Sequence, residues 1–407
     1  MTYRISAIAL AALATVSCIE FKDDDANKKT ATTPATTAQA ADSSDISVPS
    51  YETFALDTAG VGQRYASTPA DDSLYSQISE KSASTRITRF PARIPKRGAG
   101  ALQIQVLLDR AHFSPGIIDG VWGDNAVKAL AFFKNPAVVD SAGSSAADTS
   151  LSIDQQTYSR LRSAAGTDQI LTKYTLTPED VAGPFTDIPD NVYEQAKLNC
   201  LCYSSAAEAV AEKFHTSQKL LAQLNPNAAL GSLKAGTVLT VPNVEAATVG
   251  KAGDSAAVSS SSSTATGNVA QIVVSKRGFW THAVDASGKI IAHYPSTLGS
   301  GYLSSADESP TGGLKITNIA WEPAFHYQPT LFADVSDKKP EAHLPKGPNS
   351  PVGVVWMSLS KPHFGIHGTS APETIGYSNS HGCVRLTNWD AIELGRLVSK
   401  GTQVVFQ

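Results

Sequence analysis

The sequence predicts a multidomain protein in which a three-helix module and a small α+β module precede a β-rich C-terminal domain with one main helix. Three observations lead to this prediction. At 407 residues the chain is long enough for two or three domains. Two low-complexity stretches, residues 19–85 and 249–268, divide it. Apolar residues recur at helical spacing between these stretches and alternate along strands after the second.

Composition and charge limit the classes of function. The chain is 42% hydrophobic and 17% charged, which is ordinary for a globular protein, and its formal net charge is −4. Because no basic stripe is interleaved with aromatic residues, we expect no nucleic-acid partner. The closely spaced Cys200 and Cys202 are too few ligands for a zinc site. We therefore expect neither a metal nor another cofactor.

Residues 1–18 have the features of an export signal. Arg4 precedes the short apolar run "ISAIALAALATV", and small residues follow it. The run is shorter than the roughly 20 residues that a membrane-spanning helix needs. An N-terminal helix that packs on the protein is the alternative. We expect an exported protein, located in the periplasm or the cell envelope.

Cys18 ends the segment "TVSC", which resembles the lipobox of bacterial lipoproteins, with Thr15 where that family prefers leucine. The resemblance implies a lipid on Cys18 that would anchor the protein to a membrane, and simple cleavage and release is the alternative. Residues 19–85 are rich in Ala, Ser, Thr and Asp, and we expect a disordered tether there. Residues 249–268 have the composition of an interdomain linker.

Residues 91–166 contain apolar residues at helical spacing on both sides of the turn "SPGIIDGVWG". We expect Asp124 or Asn125 to cap the second helix, and Ser152 or Asp154 to cap a third. The region closely resembles the three-helix peptidoglycan-binding domain. The residues on that family's pattern are Gln103, Leu107, Pro115, Gly116, Asp119, Gly120, Gly123, Ala129 and Phe132. A helical spacer without a ligand is the alternative.

Residues 173–245 have a different pattern. Ser205 and Glu208 are spaced as a capping box, and Thr216 or Ser217 precedes a second apolar helix. "AGTVLTVPN" then alternates like a short strand after a glycine turn. The region resembles a LysM module, a strand–helix–helix–strand unit that binds N-acetylglucosamine chains. A packing domain without affinity for sugar is the alternative.

The cysteines of the folded part differ in spacing. Only Leu201 separates Cys200 from Cys202, and a disulfide needs Cα atoms within about 7 Å and suitable Cβ directions. We expect two buried thiols, with a labile or functional disulfide as the alternative. Cys383 has no partner nearby in the sequence, and an unpaired thiol in an exported protein suggests a catalytic role.

Residues 269–407 predict the β-rich domain. "AQIVVSKRGFWTHAVDASGKIIAHYP" predicts two strands joined by "ASGK", and "GLKITNIAW", "VGVVWMSL" and "GTQVVFQ" predict three more. "NWDAIELGRLVSKG" predicts the one clear helix, with Asn388 as its cap and Gly401 just past its end.

Two motifs in this domain carry chemistry. "HGT" begins at His367, and "SHGCVRL" contains Cys383 sixteen residues later. An imidazole beside a thiol can take its proton and stabilise the thiolate, which is the reactive nucleophile. Glycines beside both residues let the backbone approach a substrate closely. The spacing suits a loop that returns one strand end beside another.

The two motifs strongly resemble the L,D-transpeptidase (YkuD-type) catalytic domain, and the resemblance covers roughly residues 269–407. It implies a β-sandwich-like fold that crosslinks bacterial peptidoglycan. By the same resemblance Cys383 is the nucleophile, His367 is the general base, and the backbone carbonyl of Gly368 orients His367.

The resemblance also implies roles for the loop around the nucleophile. Ser380 and His381 would shape it, and the N–H groups of His381, Gly382 and Cys383 would bind a developing oxyanion. Arg385 would hold the loop or bind a substrate carboxylate, to which its fork of donors is suited. Thr369 is a further expected substrate-binding residue.

The implied reaction joins two peptidoglycan stem peptides. Cys383 attacks the amide that precedes the terminal D-Ala of a tetrapeptide stem, a thioester forms, and an amine of another stem gives a 3–3 crosslink. An L,D-carboxypeptidase, or a hydrolase that cuts crosslinks or releases a lipoprotein, uses the same fold. A non-catalytic protein that anchors the membrane to glycan strands is an alternative of another class.

The stretch from Trp321 to Ser350 is long, polar and punctuated by proline. Long loops without clear structure are often functional lids. We expect this one to cover the acyl-donor groove, with Tyr327 and Phe332 as wall contacts.

Overall fold

The structure is a computed structural model, and it describes residues 78, 80–83, 87–136, 152–249, 269–299, 313–331, 336, 338–377 and 383–407. The export signal with Cys18, nearly all of the tether and nearly all of the linker lie outside these residues. Phe332, Ser380, His381 and Gly382 also lie outside them. In the part of the chain that is described, no helix is long and apolar enough to cross a membrane.

The first part of the described chain is helical. Its elements are α1 (Glu80–Ala83), β1 (Ala92–Arg93), α2 (Ala99–Arg110), α3 (Asp124–Lys134), β2 (Ser152–Ile153) and α4 (Gln155–Ala165). Asp154 caps α4 by accepting a hydrogen bond from the Thr157 N–H, as the sequence predicted. The cap expected for α3 was wrong: the helix begins at Asp124, and Gly123 is its N-cap.

The second part has the order strand, helix, helix, strand, with a long insertion after the first strand. Its elements are β3 (Leu171–Thr175), α5 (Pro178–Ala182), α6 (Val192–Gln195), α7 (Ala206–Lys213), α8 (Gln218–Leu224) and β4 (Val238–Pro242). Strand β3 pairs antiparallel with β4. Ser217 caps α8 and Ser205 caps α7. The carboxylate of Glu208 accepts from the Ser204 N–H, so only half of the expected capping box forms.

The insertion contains a disulfide between Cys200 and Cys202, so the expectation of two buried thiols was wrong. Their Cα atoms are 5.2 Å apart, within the range that a disulfide requires. The single residue between them, Leu201, is completely buried.

The third part is built on a nine-stranded sheet and one helix. The strands are β5 (Gln271–Ser275), β6 (Trp280–Val284), β7 (Ile290–Pro295), β8 (Thr297–Leu298), β9 (Leu314–Trp321), β12 (Val355–Leu359), β13 (Gly365–His367), β14 (Val384–Arg385) and β15 (Gln403–Phe406). Their order is β7-β6-β5-β15-β9-β12-β13-β14-β8. Helix α9 (Asn388–Leu397) packs against the sheet, and both ends of the sheet contribute to one apolar core with it.

The first segment of this part forms three strands, where the sequence predicted two. A tight turn separates β5 from β6, and the Gly278 N–H donates to the Ser275 hydroxyl over 2.9 Å. A Cβ atom at Gly278 would lie 2.1 Å from the Trp280 indole nitrogen, so only glycine fits. The run "SKRG" at residues 275–278 interrupts the apolar pattern at this turn, and the prediction of two strands overlooked it.

The stretch from Trp321 to Ser350 is also more regular than expected. It contains two short strands, β10 (Phe325–Tyr327) and β11 (Ala342–Leu344), that pair antiparallel. The expectation of a long loop without structure was therefore wrong for this stretch.

The three parts pack against one another. Phe113 bridges to His293 of the sheet, and Ile118 bridges to Thr216 of the second part. One apolar cluster contains residues of α2, α3, α7, β4 and β6. The two N-terminal modules therefore share an apolar core with the β-rich domain, although a low-complexity stretch of sequence precedes that domain.

Candidate active site

His367 is the last residue of β13 and is 1% exposed. Its Nδ1 lies 2.6 Å from the carbonyl oxygen of Gly368. Because a carbonyl can only accept, Nδ1 carries the proton of a neutral ring, and Nε2 is then the basic nitrogen. Nε2 is buried without a hydrogen-bond partner among the described residues. The ring is thus held in the tautomer that a general base needs.

Cys383 lies directly before β14, which runs parallel to β13. Ile366 pairs with Val384 and His367 pairs with Arg385. Because side chains alternate between the faces of a sheet, Cys383 and Arg385 lie on the same face as His367. Cys383 is 2% exposed, and its thiol contacts the carbonyl oxygen of His363 at 3.9 Å.

An aromatic wall stands beside the histidine. Trp356 on β12 pairs with His367, and the two rings stack with centroids 5.1 Å apart and planes 21° apart. The Trp356 Nε1–H donates to the Ser358 hydroxyl over 2.9 Å, which fixes the indole. A Cβ atom at Gly365 would come within 2.5 Å of this indole, so glycine lets the ring lie against β13.

The thiol faces an apolar cluster that two modules share. The buried residues of this cluster are Leu201, Phe325, Ala342, Leu344, Val352, Trp356 and Cys383. Leu201 comes from the disulfide-containing insertion, and Phe325, Ala342 and Leu344 come from the β10–β11 hairpin. Both elements therefore lie over the nucleophile.

Of the other predicted site residues, some lie in the described part of the chain and the others lie outside it. Thr369 is buried, and its hydroxyl accepts from the Ala371 N–H over 3.2 Å, so it shapes the turn after His367. Tyr327 is partly buried against the thiol's cluster, with its ring 6.2 Å from that of Tyr193. Arg385 is half-buried on β14. The roles of Ser380, His381 and Gly382 stay predictions, because these residues lie outside the described chain.

Asn388 was expected to cap α9, and this was wrong: Thr387 is the cap, and its hydroxyl accepts from the Asp390 N–H. The Asn388 amide instead lies behind the loop that follows His367. Its Oδ1 accepts from the Val354 N–H over 3.1 Å. Its Nδ2 donates to the Pro348 carbonyl over 3.1 Å and to the Glu212 carboxylate over 2.9 Å.

The Asn388 side chain occupies space that two glycines leave open. A Cβ atom at Gly353 would lie 2.0 Å from Oδ1, and one at Gly368 would lie 2.1 Å from it. Asn388 thus supports the peptide that orients His367. The sequence carries no signal for this contact apart from the glycine after His367. Among the described residues, no three His, Cys, Asp or Glu side chains are grouped as a metal site would require.

Comparison with known proteins bears on this part of the chain. Residues 269–406 match the family described as the YkuD L,D-transpeptidase catalytic domain. A protein of Bacillus licheniformis, provisionally named L,D-transpeptidase YkuD, is 27% identical over 197 residues, which are 48% of this chain and 90% of that protein. Its provisionally named Bacillus subtilis counterpart is 51% identical over 59 residues, which are 14% of this chain and 36% of that protein.

A solved L,D-transpeptidase structure from Xylanimonas cellulosilytica is similar over 79% of this chain and 100% of that chain, at 13% identity and a TM-score of 0.31. The expectation of an L,D-transpeptidase domain is confirmed by the family match. That match lies wholly after residue 268, so the assignments of residues 91–166 and 173–245 stay predictions.

Proposed function

We propose that this chain, whose residues 269–406 form a YkuD-type L,D-transpeptidase catalytic domain, makes 3–3 crosslinks in peptidoglycan through a thioester on Cys383. One observation carries the proposal. His367 ends β13, Cys383 directly precedes the parallel neighbouring strand β14, and the hydrogen bond from Nδ1 to Gly368 leaves Nε2 as the base.

The first half-reaction is acylation. His367 Nε2 takes the thiol proton, and the Cys383 sulfur attacks the carbonyl carbon of the third stem residue. The N–H groups of residues 381–383 are the predicted donors to the oxyanion. When the tetrahedral intermediate collapses, the amide bond breaks and D-Ala leaves with the proton from His367. A thioester remains on Cys383.

The second half-reaction transfers the acyl group. The side-chain amine of the third residue of another stem attacks the thioester, and His367 takes a proton from that amine. The carbon–sulfur bond breaks, the thiol is restored, and an amide joins the two third residues. Water in place of the amine would give a tripeptide.

The rest of the chain fits an enzyme that acts on an insoluble polymer. We propose that the protein is exported to the cell envelope, with Cys18 as a lipid anchor. Residues 91–166 and 173–245 would bind glycan strands of the wall. Linked weak binding sites raise the local concentration of stem peptides without new contacts at the catalytic site.

Product masses test the proposed reaction. The purified full chain is incubated with disaccharide-tetrapeptides, beside the Cys383→Ala variant as a control. We expect dimers whose mass is two monomers less one D-Ala, and none with the variant. Tripeptides without dimers would instead indicate a carboxypeptidase. Unchanged substrate with both proteins would contradict an activity on this stem.

A further inference from the structure

Glu212 of the second module extends toward the catalytic domain and lies behind the loop that holds His367. It is the penultimate residue of α7, outside the residues that match the catalytic family. Its Oε1 accepts two hydrogen bonds, from Asn388 Nδ2 over 2.9 Å and from the Tyr203 hydroxyl over 3.0 Å. The carboxylate thus joins its own module to the first residue of α9.

The carboxylate determines which way the Asn388 amide points. A carboxylate oxygen that accepts a hydrogen bond must face the NH₂ group of the amide. The NH₂ group therefore faces Glu212 and the Pro348 carbonyl, and Oδ1 faces the Val354 N–H. If the amide turned over, its NH₂ group would oppose the Val354 N–H, and a buried donor would lose its acceptor.

The oriented amide in turn supports the peptide after His367. Oδ1 fills the space beside Gly368, where a Cβ atom would lie 2.1 Å away. The Gly368 N–H donates to the Val355 carbonyl over 3.1 Å, and the Gly368 carbonyl accepts from His367 Nδ1. A shift of Asn388 would therefore move the peptide whose carbonyl fixes the tautomer and direction of the ring.

Several titratable groups face this carboxylate. Burial raises the pKa of Glu212 to about 7, the hydrogen bonds from Asn388 and Tyr203 lower it, repulsion from Glu208 raises it, and His215 lowers it. His215 is itself 2.9 Å from the Asp109 carboxylate. Glu212 thus changes charge in the neutral pH range. As the pH falls and the carboxylate takes up a proton, its charge-assisted hydrogen bond with Asn388 becomes a weaker neutral one.

From these contacts we infer that Glu212 is a positioning residue for His367, acting through Asn388 and Gly368. The second module then completes the catalytic site as well as the predicted wall contacts. The inference rests on the proposed function for its meaning, because it concerns the base of that reaction. The contacts that support it involve only residues of this chain and do not depend on the identity of a substrate.

Alkylation of Cys383 by iodoacetamide tests the inference without any peptidoglycan. The rate constant depends on the thiolate, which the His367 ring stabilises. The rate constant is measured at several pH values in the full chain. Mass spectrometry of the peptide that contains Cys383 distinguishes its alkylation from that of Cys18. We expect Glu212→Ala to slow alkylation about tenfold between pH 6 and 8. Without the carboxylate, Asn388 and Gly368 can move, and the His367 ring then stabilises the Cys383 thiolate less well.

Two further variants sharpen the test. Glu212→Gln keeps an acceptor in place, so we expect a folded protein whose rate profile lacks the inflection near pH 7. Glu208→Gln is the matched control, since it lies one turn earlier on α7 and contacts Asn349 of the catalytic domain. Its profile should keep the inflection, moved to lower pH because the repulsion from Glu208 is lost, and its rate at the alkaline end should equal that of the wild type. Superimposable profiles of the wild type, Glu212→Ala and Glu212→Gln would overturn the inference.

A double-mutant cycle separates positioning from a general loss of structure. If Glu212 acts through Asn388, then Glu212→Ala should slow alkylation no further in an Asn388→Ala background. Fully additive effects would contradict the inferred path. Because alkylation needs no wall substrate, a dependence on Glu212 without any crosslinked product would preserve the inference and refute the proposed function. Crosslinked product without that dependence would do the opposite.

Discussion

Two of the contacts between the second module and the catalytic domain lie beside the candidate site, and they differ in kind. Behind His367 the contact is polar and made by side chains, from Glu212 to Asn388. Over Cys383 it is apolar and held by backbone, through a segment we call the strap, residues 183–203. The first contact depends on a charge, and the second depends on the path of the chain. Changes that affect one should leave the other largely intact.

The strap is fixed at Leu201. Its N–H donates to the Lys346 carbonyl over 3.0 Å, and its carbonyl accepts from the Asn349 N–H over 2.9 Å. The Asn349 side chain also donates to the Cys202 carbonyl over 3.0 Å. A Cβ atom at Gly347 would lie 2.1 Å from the Leu201 carbonyl oxygen, so glycine permits this close approach. The Leu201 side chain is thereby pressed into the cluster that contains Cys383.

Replacing Leu201 should have the largest effect, both on stability and on access to the thiol. Leu201→Ala removes a fully buried side chain from the cluster. We expect the free energy of unfolding to fall by about 2–5 kcal/mol in urea denaturation, because the cavity adds to the lost transfer energy. Alkylation of Cys383 should become faster as the cover loosens. The partly buried Leu198 is a matched site, and Leu198→Ala should cost clearly less. Equal losses at the two sites would show that Leu201 has no special place in the strap.

The polar contact should respond to pH instead. Burial raises the pKa of Glu212 to about 7 in the folded protein, against about 4.3 for a free glutamate. As pH rises from about 4.3 to 7, the unfolded chain releases this proton while the folded chain retains it. This group therefore lowers wild-type stability across that window and has no further effect above it.

Glu212→Gln cannot titrate, so the comparison with the wild type isolates this group. We expect the free energy of unfolding of the variant, minus that of the wild type, to rise between pH 4.5 and 7. The rise should be on the order of 1–3 kcal/mol and should level off above pH 7.5. Urea denaturation at several pH values measures it. A difference that stays flat with pH would mean that Glu212 titrates as an exposed carboxylate does.

The distance in sequence between the residues involved explains what the sequence could predict. The strands β9, β12 and β15 and helix α9 follow from local alternation and periodicity, and all four are present. His367 and Cys383 belong to short motifs, so both could be named from the sequence, although their catalytic roles stay predictions. The prediction of a single strand for β5 and β6 overlooked the run "SKRG" at residues 275–278, which forms the tight turn between them.

The supporting contacts could not be predicted, because they join residues that are far apart in the chain. Asn388 and Glu212 are 176 residues apart, and Asn388 and Val354 are 34 apart. A helix-capping pattern explained Asn388 locally and so concealed its long-range role. In the same way, "CLC" alone could not distinguish two thiols from a disulfide, because the choice depends on the backbone path that brings the two Cα atoms to 5.2 Å.

The disulfide should have the smallest effect, and it tests what holds the strap. Replacing both Cys200 and Cys202 by serine opens a three-residue loop, for which chain entropy predicts a loss of only about 1.6 kcal/mol. The backbone bonds of Leu201 to Lys346 and Asn349 do not involve sulfur, so Leu201 should stay buried. We therefore expect Cys383 alkylation in the double variant to rise less than in Leu201→Ala. An equal or larger rise would mean that the disulfide, and not the backbone pairing, keeps the strap over the nucleophile, and access to Cys383 would then depend on the redox state of the strap.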